Sequence, residues 1–275
     1  MSRIGSGKKS LKTKIFHLIN DNYRSVLVIL GFFLVWELAV HIFKIPKIVL
    51  PAPSRALYVL FFRQAHANYH WALNIKTTLN AFLMAFFFTS VLGIMISIII
   101  TWSRHVKDMI MPLFIFINSL PVIAIAPIIL LWMGYGIATN MLIAFLVSFF
   151  PVVINTMTGL DAVEDEILDL ARYLNASKLQ LFIKIRIPNS LPYIFSGLKI
   201  CATMSIIGAI VGEYMGSDKG LGYVVINSQY TLDTPPIFAA LILISLFGAG
   251  LYVIVTLLER LVMPWAFVKE RVKNN

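Results

Sequence analysis

Residues 77–102 read TTLNAFLMAFFFTSVLGIMISIIITW and contain no Asp, Glu, Lys or Arg. About 20 mostly apolar residues are enough to cross a hydrocarbon core of roughly 30 Å. Lipid offers no hydrogen-bond partner to exposed backbone groups, so a lipid-exposed stretch of this kind must be helical. The sequence therefore predicts a transmembrane helix at this position.

Five further stretches meet the same criterion. The six predicted spans are 25–43, 77–102, 109–133, 137–160, 190–212 and 236–258. Within them, Glu37 is the only acidic residue and Lys199 is the only Lys or Arg. Hydrophobic residues make up 59% of the chain and charged residues 13%, whereas soluble domains carry roughly 25% charged residues. The fold class predicted is an all-α polytopic membrane protein with six transmembrane helices.

Composition and motifs exclude several other classes. The single cysteine, Cys201, excludes a disulfide scaffold. Gly216, Gly220 and Gly222 are not followed by Gly-Lys-Ser/Thr, so no nucleotide site is predicted in this chain. No group of ligands has the spacing of a metal site or a catalytic constellation. The net charge of +10 is attributed to basic cytoplasmic loops, not to nucleic-acid binding.

Basic residues predict the orientation. If the N-terminus is cytoplasmic, most of the 23 Lys and Arg residues fall in cytoplasmic segments, as positive-inside topology requires. The predicted organisation is a basic cytoplasmic segment at 1–24, a membrane domain at 25–263 and a basic cytoplasmic tail at 264–275. Residues 15–19 fit either a short amphipathic helix on the membrane surface or a disordered tail. Ser54 is a candidate N-cap for a short outer helix that begins at Arg55.

The cytoplasmic segment 159–189 between the fourth and fifth spans is the most charged part of the chain. Asp161-Ala-Val-Glu164 matches a capping box with Asp in place of Ser or Thr, and it predicts a helix that starts after Asp161. Apolar residues then recur at helical spacing, at Val163, Ile167, Leu170, Ala171 and Leu174. The charged side chains lie largely away from this stripe.

A turn and a second helix follow. Asn175 comes after the last apolar position, and Asn tolerates the left-handed conformation that ends many helices. Ser177-Lys-Leu-Gln180 is a second capping box. The second helix is predicted to end near Ile187, because Pro188 disfavours helical geometry in the residue before it. We interpret 159–189 as a helix–turn–helix segment parallel to the membrane, and a docking surface is favoured over a plain connector.

At these residues the chain resembles a known family. Asp169-Leu170-Ala171 and Asn175-Ala176-Ser177 are similar to the cytoplasmic EAA loop of ABC importer permeases, with Asp-Leu in place of Glu-Ala and Asn175 in place of the usual glycine. Three more matches point to nitrate/sulfonate/taurine-type permeases, the binding-protein-dependent transport inner membrane components: Leu50-Pro-Ala-Pro-Ser54, Asn118-Ser-Leu-Pro121 and Gly220-Leu-Gly222. The resemblance covers nearly the whole chain.

The resemblance implies a type I ABC importer permease fold in a bacterial inner membrane. It implies a second permease chain as homodimer partner, a cytoplasmic ATPase dimer that holds ATP and Mg, and an extracytoplasmic substrate-binding protein. This chain itself is then not an enzyme and binds no cofactor. The ATPase-coupling surface implied comprises Asp169, Ala171, Asn175, Ala176, Ser177 and Gln180.

Polar residues in the spans are candidates for the translocation pathway. Asn118 and Pro121 lie in the third span, which is predicted to move because its prolines introduce kinks; ordinary helix packing is the alternative. Lys199 either lines the pathway or extends towards the interface. Glu213 either contacts substrate or is held by loop amides. In the fifth span, small residues such as Gly208 predict close contact between helices.

Two functions remain in competition. The first is a permease of an ATP-driven importer, with a sulfonate, taurine-like or heterocyclic vitamin-precursor substrate, or a nitrate-like anion. The second is an ion-coupled secondary transporter, which usually needs ionisable groups near the midplane. The scarcity of charge in the predicted spans favours the first. With Lys199 as their only fixed cation, the spans favour an organic, heterocyclic solute over a small inorganic anion.

Overall fold

The computed structural model describes residues 23–62 and 69–265. This part of the chain is built from helices, in the order α1 (Tyr23–Ile42), α2 (Pro53–Phe62), α3 (Trp71–Thr101), α4 (Arg104–Asn118), α5 (Val122–Met133), α6 (Ile137–Asp161), α7 (Asp165–Tyr173), α8 (Lys178–Leu181), a π-helical turn (Phe182–Arg186), α9 (Ile187–Gly216), α10 (Leu221–Tyr230) and α11 (Thr234–Val262). Residues 15–19, with their predicted amphipathic helix, lie outside the described residues.

Four helices of the described chain are long and apolar enough to cross a membrane: α3, α6, α11 and the continuous helix Lys178–Gly216. The pair α4 and α5 passes the same test jointly, which makes five. The apolar part of α1, Val26–Ile42, is shorter than the others. An all-α polytopic membrane protein is therefore confirmed.

The third predicted span is broken. In place of one helix over 109–133, α4 ends at Asn118, α5 begins at Val122, and their axes differ in direction by 87°. Pro121 precedes α5 in an extended conformation. Proline lacks the N–H of a helical hydrogen bond and disfavours helical geometry in the residue before it, so the kink expected from the prolines is here a complete break.

Helices α6 and α9 form the most extensive contact in the bundle, as the small residues predicted. A Cβ added to Gly208 would lie 2.5 Å from Cα of Ala144, and one added to Gly212 would lie 2.9 Å from Cα of Asn140. These backbones approach each other at distances that only glycine permits. The close helix contact predicted for the fifth span is confirmed.

The predicted helix end near Ile187 is wrong. Helix α8 continues through the π-helical turn into α9, and together they form one helix of 39 residues. The N–H of Ile187 donates to the carbonyl of Phe182, five residues back. A proline clashes with the carbonyl four residues before it in a regular helix, and we attribute the accommodation of Pro188 to the wider π-helical turn that precedes it.

A contact between α1 and α2 replaces a predicted cap. Helix α2 begins at Pro53, so Ser54 lies inside it and is not the N-cap of a helix from Arg55. The N–H and Oγ of Ser54 donate to the carboxylate of Glu37, at 3.0 and 2.7 Å. A carboxylate from another helix therefore accepts a hydrogen bond from a backbone N–H at the start of α2, where negative charge is favourable.

Candidate functional site

The helix–turn–helix segment starts differently from the prediction. Helix α6 runs through Asp161, and α7 begins only at Asp165 with Glu164 as its N-cap, without a side-chain cap bond. The predicted capping box at Asp161 is therefore wrong. The carboxylate of Asp161 forms an ion pair with Lys107 of α4 and lies 4.0 Å from Nη1 of Arg186 in the π-helical turn. Asp161 thus joins three elements.

The turn is formed as predicted. Asn175 is left-handed, with φ of 58°. Its N–H donates to the carbonyl of Arg172 at 2.9 Å, and the N–H of Ala176 donates to the carbonyl of Ala171 at 3.0 Å. These two bonds are those of a Schellman motif, in which the left-handed residue is usually glycine. Asn175 can therefore hold the backbone that the family's glycine would hold.

The second capping box is confirmed. The N–H of Gln180 donates to Oγ of Ser177 at 3.2 Å, and the N–H of Ser177 donates to Oε1 of Gln180 at 2.9 Å. The two helices therefore meet in a turn of only four residues, 174–177, that is fixed on both sides by hydrogen bonds. Such a connection holds the segment in one shape.

The residues of the predicted apolar stripe, in and beside α7, divide between a buried side and an exposed side. Val163 and Ala171 are buried, and Leu168, off the predicted stripe, is buried with them. Three neighbouring side chains point outward: Leu170, Tyr173 and Leu174 are 60%, 85% and 70% exposed. We call these three residues the apolar patch. Large exposed apolar groups that lie together on a rigid element are typical of a surface that binds a partner.

The six predicted coupling residues lie close together around this turn. Ala171 is buried beneath it, Asn175, Ala176 and Ser177 form it, and Gln180 caps the helix that follows. Asp169 lies on the exposed side of α7 and accepts from Nη1 of Arg172 at 2.8 Å. Because both side chains are about 70% exposed, the pair adds little stability. Both charges remain accessible beside the apolar patch.

The candidate pathway residues do not lie together. Asn118 and Pro121 are exposed at the break between α4 and α5. Nζ of Lys199 lies 2.5 Å from Oε2 of Glu259 in α11, and both side chains are largely buried. Sequence reasoning missed Glu259 because the predicted sixth span stops one residue before it. An acidic residue directly after the end of that span was the available signal.

Glu213 lies at the opposite end of the 39-residue helix and is fully buried. Its carboxylate accepts from Oγ1 of Thr78 at 2.8 Å and from the N–H of Gly222 at 2.8 Å. The N–H of Gly220 donates to Oδ1 of Asn74 at 2.8 Å. We call these five residues the Glu213 cluster. Of the two alternatives predicted for Glu213, this geometry fits the one in which loop amides hold the carboxylate at the helix end.

Among residues 23–62 and 69–265, no group of three or more His, Cys, Asp or Glu side chains could hold a metal ion. The ionisable groups that do come close, such as Lys199 with Glu259 and Lys107 with Asp161, belong to ion pairs between helices. The arrangement therefore offers a rigid surface at one end of the bundle, and the long helices that extend from this end are held together by ion pairs.

Residues 89–264 match the family model described as "Binding-protein-dependent transport system inner membrane component". The chain is 31% identical to the formylaminopyrimidine transport permease protein ThiX of Halalkalibacterium halodurans, over 87% of this chain and 94% of that protein. It is 31% identical to the riboflavin transport system permease protein RibX of Chloroflexus aurantiacus, over 84% and 85%. It is 27% identical to the putative aliphatic sulfonates transport permease protein SsuC of Bacillus subtilis, over 84% and 83%.

Proposed function

The chain belongs to the family of binding-protein-dependent transport system inner membrane components, and on this premise we propose that its helix–turn–helix segment docks a separate ATPase. As a member, the chain is the permease subunit of an ABC importer and a multi-pass membrane protein, not itself an enzyme. The alternative of an ion-coupled secondary transporter has no support among these relatives.

The apolar patch is the observation that carries the docking proposal. Leu170, Tyr173 and Leu174 are exposed on a segment whose turn is held by the Schellman bonds of Asn175 and the capping box of Ser177. A flexible loop would lose conformational entropy on binding, whereas a fixed turn has already lost it. The patch can therefore insert into an apolar groove at low entropic cost.

We place the docking end of the bundle in the cytoplasm. Five cations, Arg104, Lys107, Arg172, Lys178 and Arg186, gather at this end, and basic residues favour the cytoplasmic side of a membrane. With α1, α3, the broken pair α4–α5, α6, the 39-residue helix and α11 as six crossings, both termini are cytoplasmic. In this arrangement the Glu213 cluster faces the side from which a binding protein delivers substrate.

Two copies of the chain enclose the pathway in this proposal. The break between α4 and α5 exposes Asn118 and Pro121, and irregular backbone at membrane depth is tolerated where it is covered by protein or lines a water-filled cavity. We therefore assign the broken third span to the wall between the two copies. Because Lys199 is paired with Glu259, we propose helix packing, and not lining of the pathway, as the main role of Lys199.

We propose a heterocyclic organic solute as substrate. Lys199 is the only Lys or Arg within the six predicted spans, and Glu259 neutralises it. An inorganic anion such as nitrate would gain from an unpaired cation, which this ion pair does not supply. Two of the relatives named above are permeases for a formylaminopyrimidine and for riboflavin. Uptake by proteoliposomes with the partner ATPase and binding protein, measured with labelled aminopyrimidine, taurine and nitrate, tests this choice.

Docking is tested with Leu170→Glu/Leu174→Glu. Two charges in the centre of an apolar contact are strongly unfavourable, so we expect the ATPase to be lost from the purified complex, by about tenfold or more. The variant is expected to retain its expression and thermal unfolding, because both side chains are exposed. The measurement is the amount of ATPase that co-purifies with the tagged permease.

The matched control is Tyr230→Glu. Tyr230 is 82% exposed, but it ends α10 at the opposite end of the bundle from the apolar patch. We expect it to leave co-purification unchanged. Normal recovery of the ATPase with the Leu170/Leu174 variant would contradict docking at this surface, whatever the result with Tyr230.

A further inference from the structure

A cavity of about 690 Å³ lies between the α3–α4 turn and the helix–turn–helix segment. Its cationic lining residues are Arg104, Lys107, Arg172, Lys178 and Arg186. Asp108 and Asp161 are its acidic ones. The lining therefore has an excess of positive charge, which in a confined space attracts anions.

The acids do not neutralise the whole cavity. Asp161 is shared by Lys107 and Arg186, and the partner of Arg172 is Asp169, which is not part of the lining. Within the described ranges, Arg104 and Lys178 have no carboxylate within 4.0 Å. No described carboxylate therefore neutralises these two cations, and both can bind an anion.

The position of Trp102 indicates that the cavity lies at the level of lipid headgroups. Helix α3 is apolar over most of its length and ends at Thr101, and Trp102 follows it directly. Tryptophan is enriched at membrane interfaces, at the level of the headgroups. Nζ of Lys178 is 5.3 Å from the centre of the Trp102 ring, and the ring of Phe182 packs against the same Trp102 ring, with ring centres 5.1 Å apart. The cationic lining is thus held at the interface.

A second, mostly apolar cavity of about 360 Å³ adjoins the first and shares Lys107 and Asp161 with it. Met111, Ile154 and Met157 line it, from α4 and α6. These residues are further along both helices towards the membrane interior than Lys107 and Asp161. The two cavities together offer cations near the end of α3 and an apolar groove that continues along α4 and α6.

We propose that the paired cavities bind an anionic phospholipid, with its phosphate between Arg104 and Lys178 and an acyl chain along Met111 and Ile154. A free phosphate has the same charge chemistry as the headgroup. The adjoining apolar cavity favours the lipid, because a small anion would leave it unused. We call the turn 174–177, which lies within the proposed ATPase-docking surface, the coupling turn. The bound lipid would connect the α3–α4 turn to α8, next to the coupling turn, and so stabilise one position of the helix–turn–helix segment.

The test uses the full-length chain and two probes, phosphatidylglycerol and phosphatidylcholine. Native mass spectrometry of the purified protein measures how much of each lipid is retained. We expect wild-type protein to prefer phosphatidylglycerol and Arg104→Gln/Lys178→Gln to lose about tenfold of that preference, since each cation near a membrane surface contributes substantially to anionic-lipid binding. Lys76→Gln/Lys219→Gln removes the same charge at the opposite end and is expected to keep the preference.

Three results would overturn the proposal. The first is equal retention of both lipids by wild-type protein. The second is an undiminished preference in the Arg104/Lys178 variant. The third is full displacement of phosphatidylglycerol by inorganic phosphate, which would assign the site to a soluble anion. A parallel variant, Met111→Trp, fills the apolar cavity and is expected to lower lipid retention although Arg104 and Lys178, the two cations assigned to the phosphate, remain present.

Discussion

At the scale of single residues, Gly220 is needed in the Glu213 cluster for two reasons. Its φ is 110°, a backbone conformation that is essentially restricted to glycine. A Cβ on Gly220 would also lie 2.2 Å from Cδ of Glu213. Since the buried carboxyl group depends on the amides that this loop supplies, a side chain at position 220 would push it away from its hydrogen-bond donors.

We therefore expect Gly220→Ala to lower the midpoint of thermal unfolding by several degrees. Backbone strain alone costs about 1–3 kcal/mol, and displacement of the Glu213 carboxylate adds to it. The control is Gly250→Ala, since nothing lies within 4 Å of a Cβ at that position. Thermal unfolding in detergent measures both variants, and equal midpoints would refute this account of the cluster.

At the scale of elements, the coupling turn depends on one left-handed residue. Asn175 adopts this conformation without glycine, and its N–H and that of Ala176 close the end of α7. The orientation of α7 relative to the helix Lys178–Gly216, and with it the orientation of the apolar patch, follows from this turn. Substitutions there are expected to change coupling more than stability.

The prediction separates Asn175→Gly from Asn175→Val. Glycine accepts positive φ at no steric cost, so Asn175→Gly is expected to keep ATP-driven uptake. A β-branched residue is a genuine outlier there, and the penalty of about 1–2 kcal/mol is expected to reduce uptake about tenfold while the long helices remain folded. Uptake by proteoliposomes at matched permease content is the measurement. Wild-type uptake by Asn175→Val would show that the turn does not set coupling.

At the scale of the whole molecule, buried polar contacts tie the long helices together. Lys199 of α9 pairs with Glu259 of α11, and Oγ1 of Thr89 in α3 is 3.1 Å from Oγ of Ser148 in α6. Because lipid supplies no hydrophobic drive between helices, such contacts and close packing determine the arrangement. The Lys199–Glu259 pair is the charged member of this set.

We expect Lys199→Met to be strongly destabilising, by about 3–5 kcal/mol, because it leaves the Glu259 carboxylate buried without its partner. The double variant Lys199→Met/Glu259→Met removes both charges and is expected to recover most of the stability and uptake of a neutral heterocycle. Thermal unfolding and uptake are measured together. A double variant as unstable as Lys199→Met would argue against the ion pair, and a stable double variant without uptake would assign Lys199 to the pathway.

The sequence predicted those features whose signals lie close together in the chain. Asn175 and the Ser177–Gln180 box are local patterns, and the structure has both. It failed where a distant partner decides the outcome: Ser54 is bound by a carboxylate 17 residues away, and Asp161 by a lysine 54 residues away. The predicted helix end before Pro188 was wrong for another reason: nothing in the local sequence indicates the π-helical turn that precedes this proline.

The uninterrupted helix Lys178–Gly216 links the two ends of the molecule as a single rod. At about 1.5 Å per residue, its 39 residues reach from the coupling turn to the Glu213 cluster over about 58 Å. If the rod pivots about its middle, a tilt of about 5° moves its two tips by about 2.5 Å in opposite directions. A displacement of the coupling turn on one side of the membrane would then move the Glu213 cluster on the other side by the same distance, in the opposite direction.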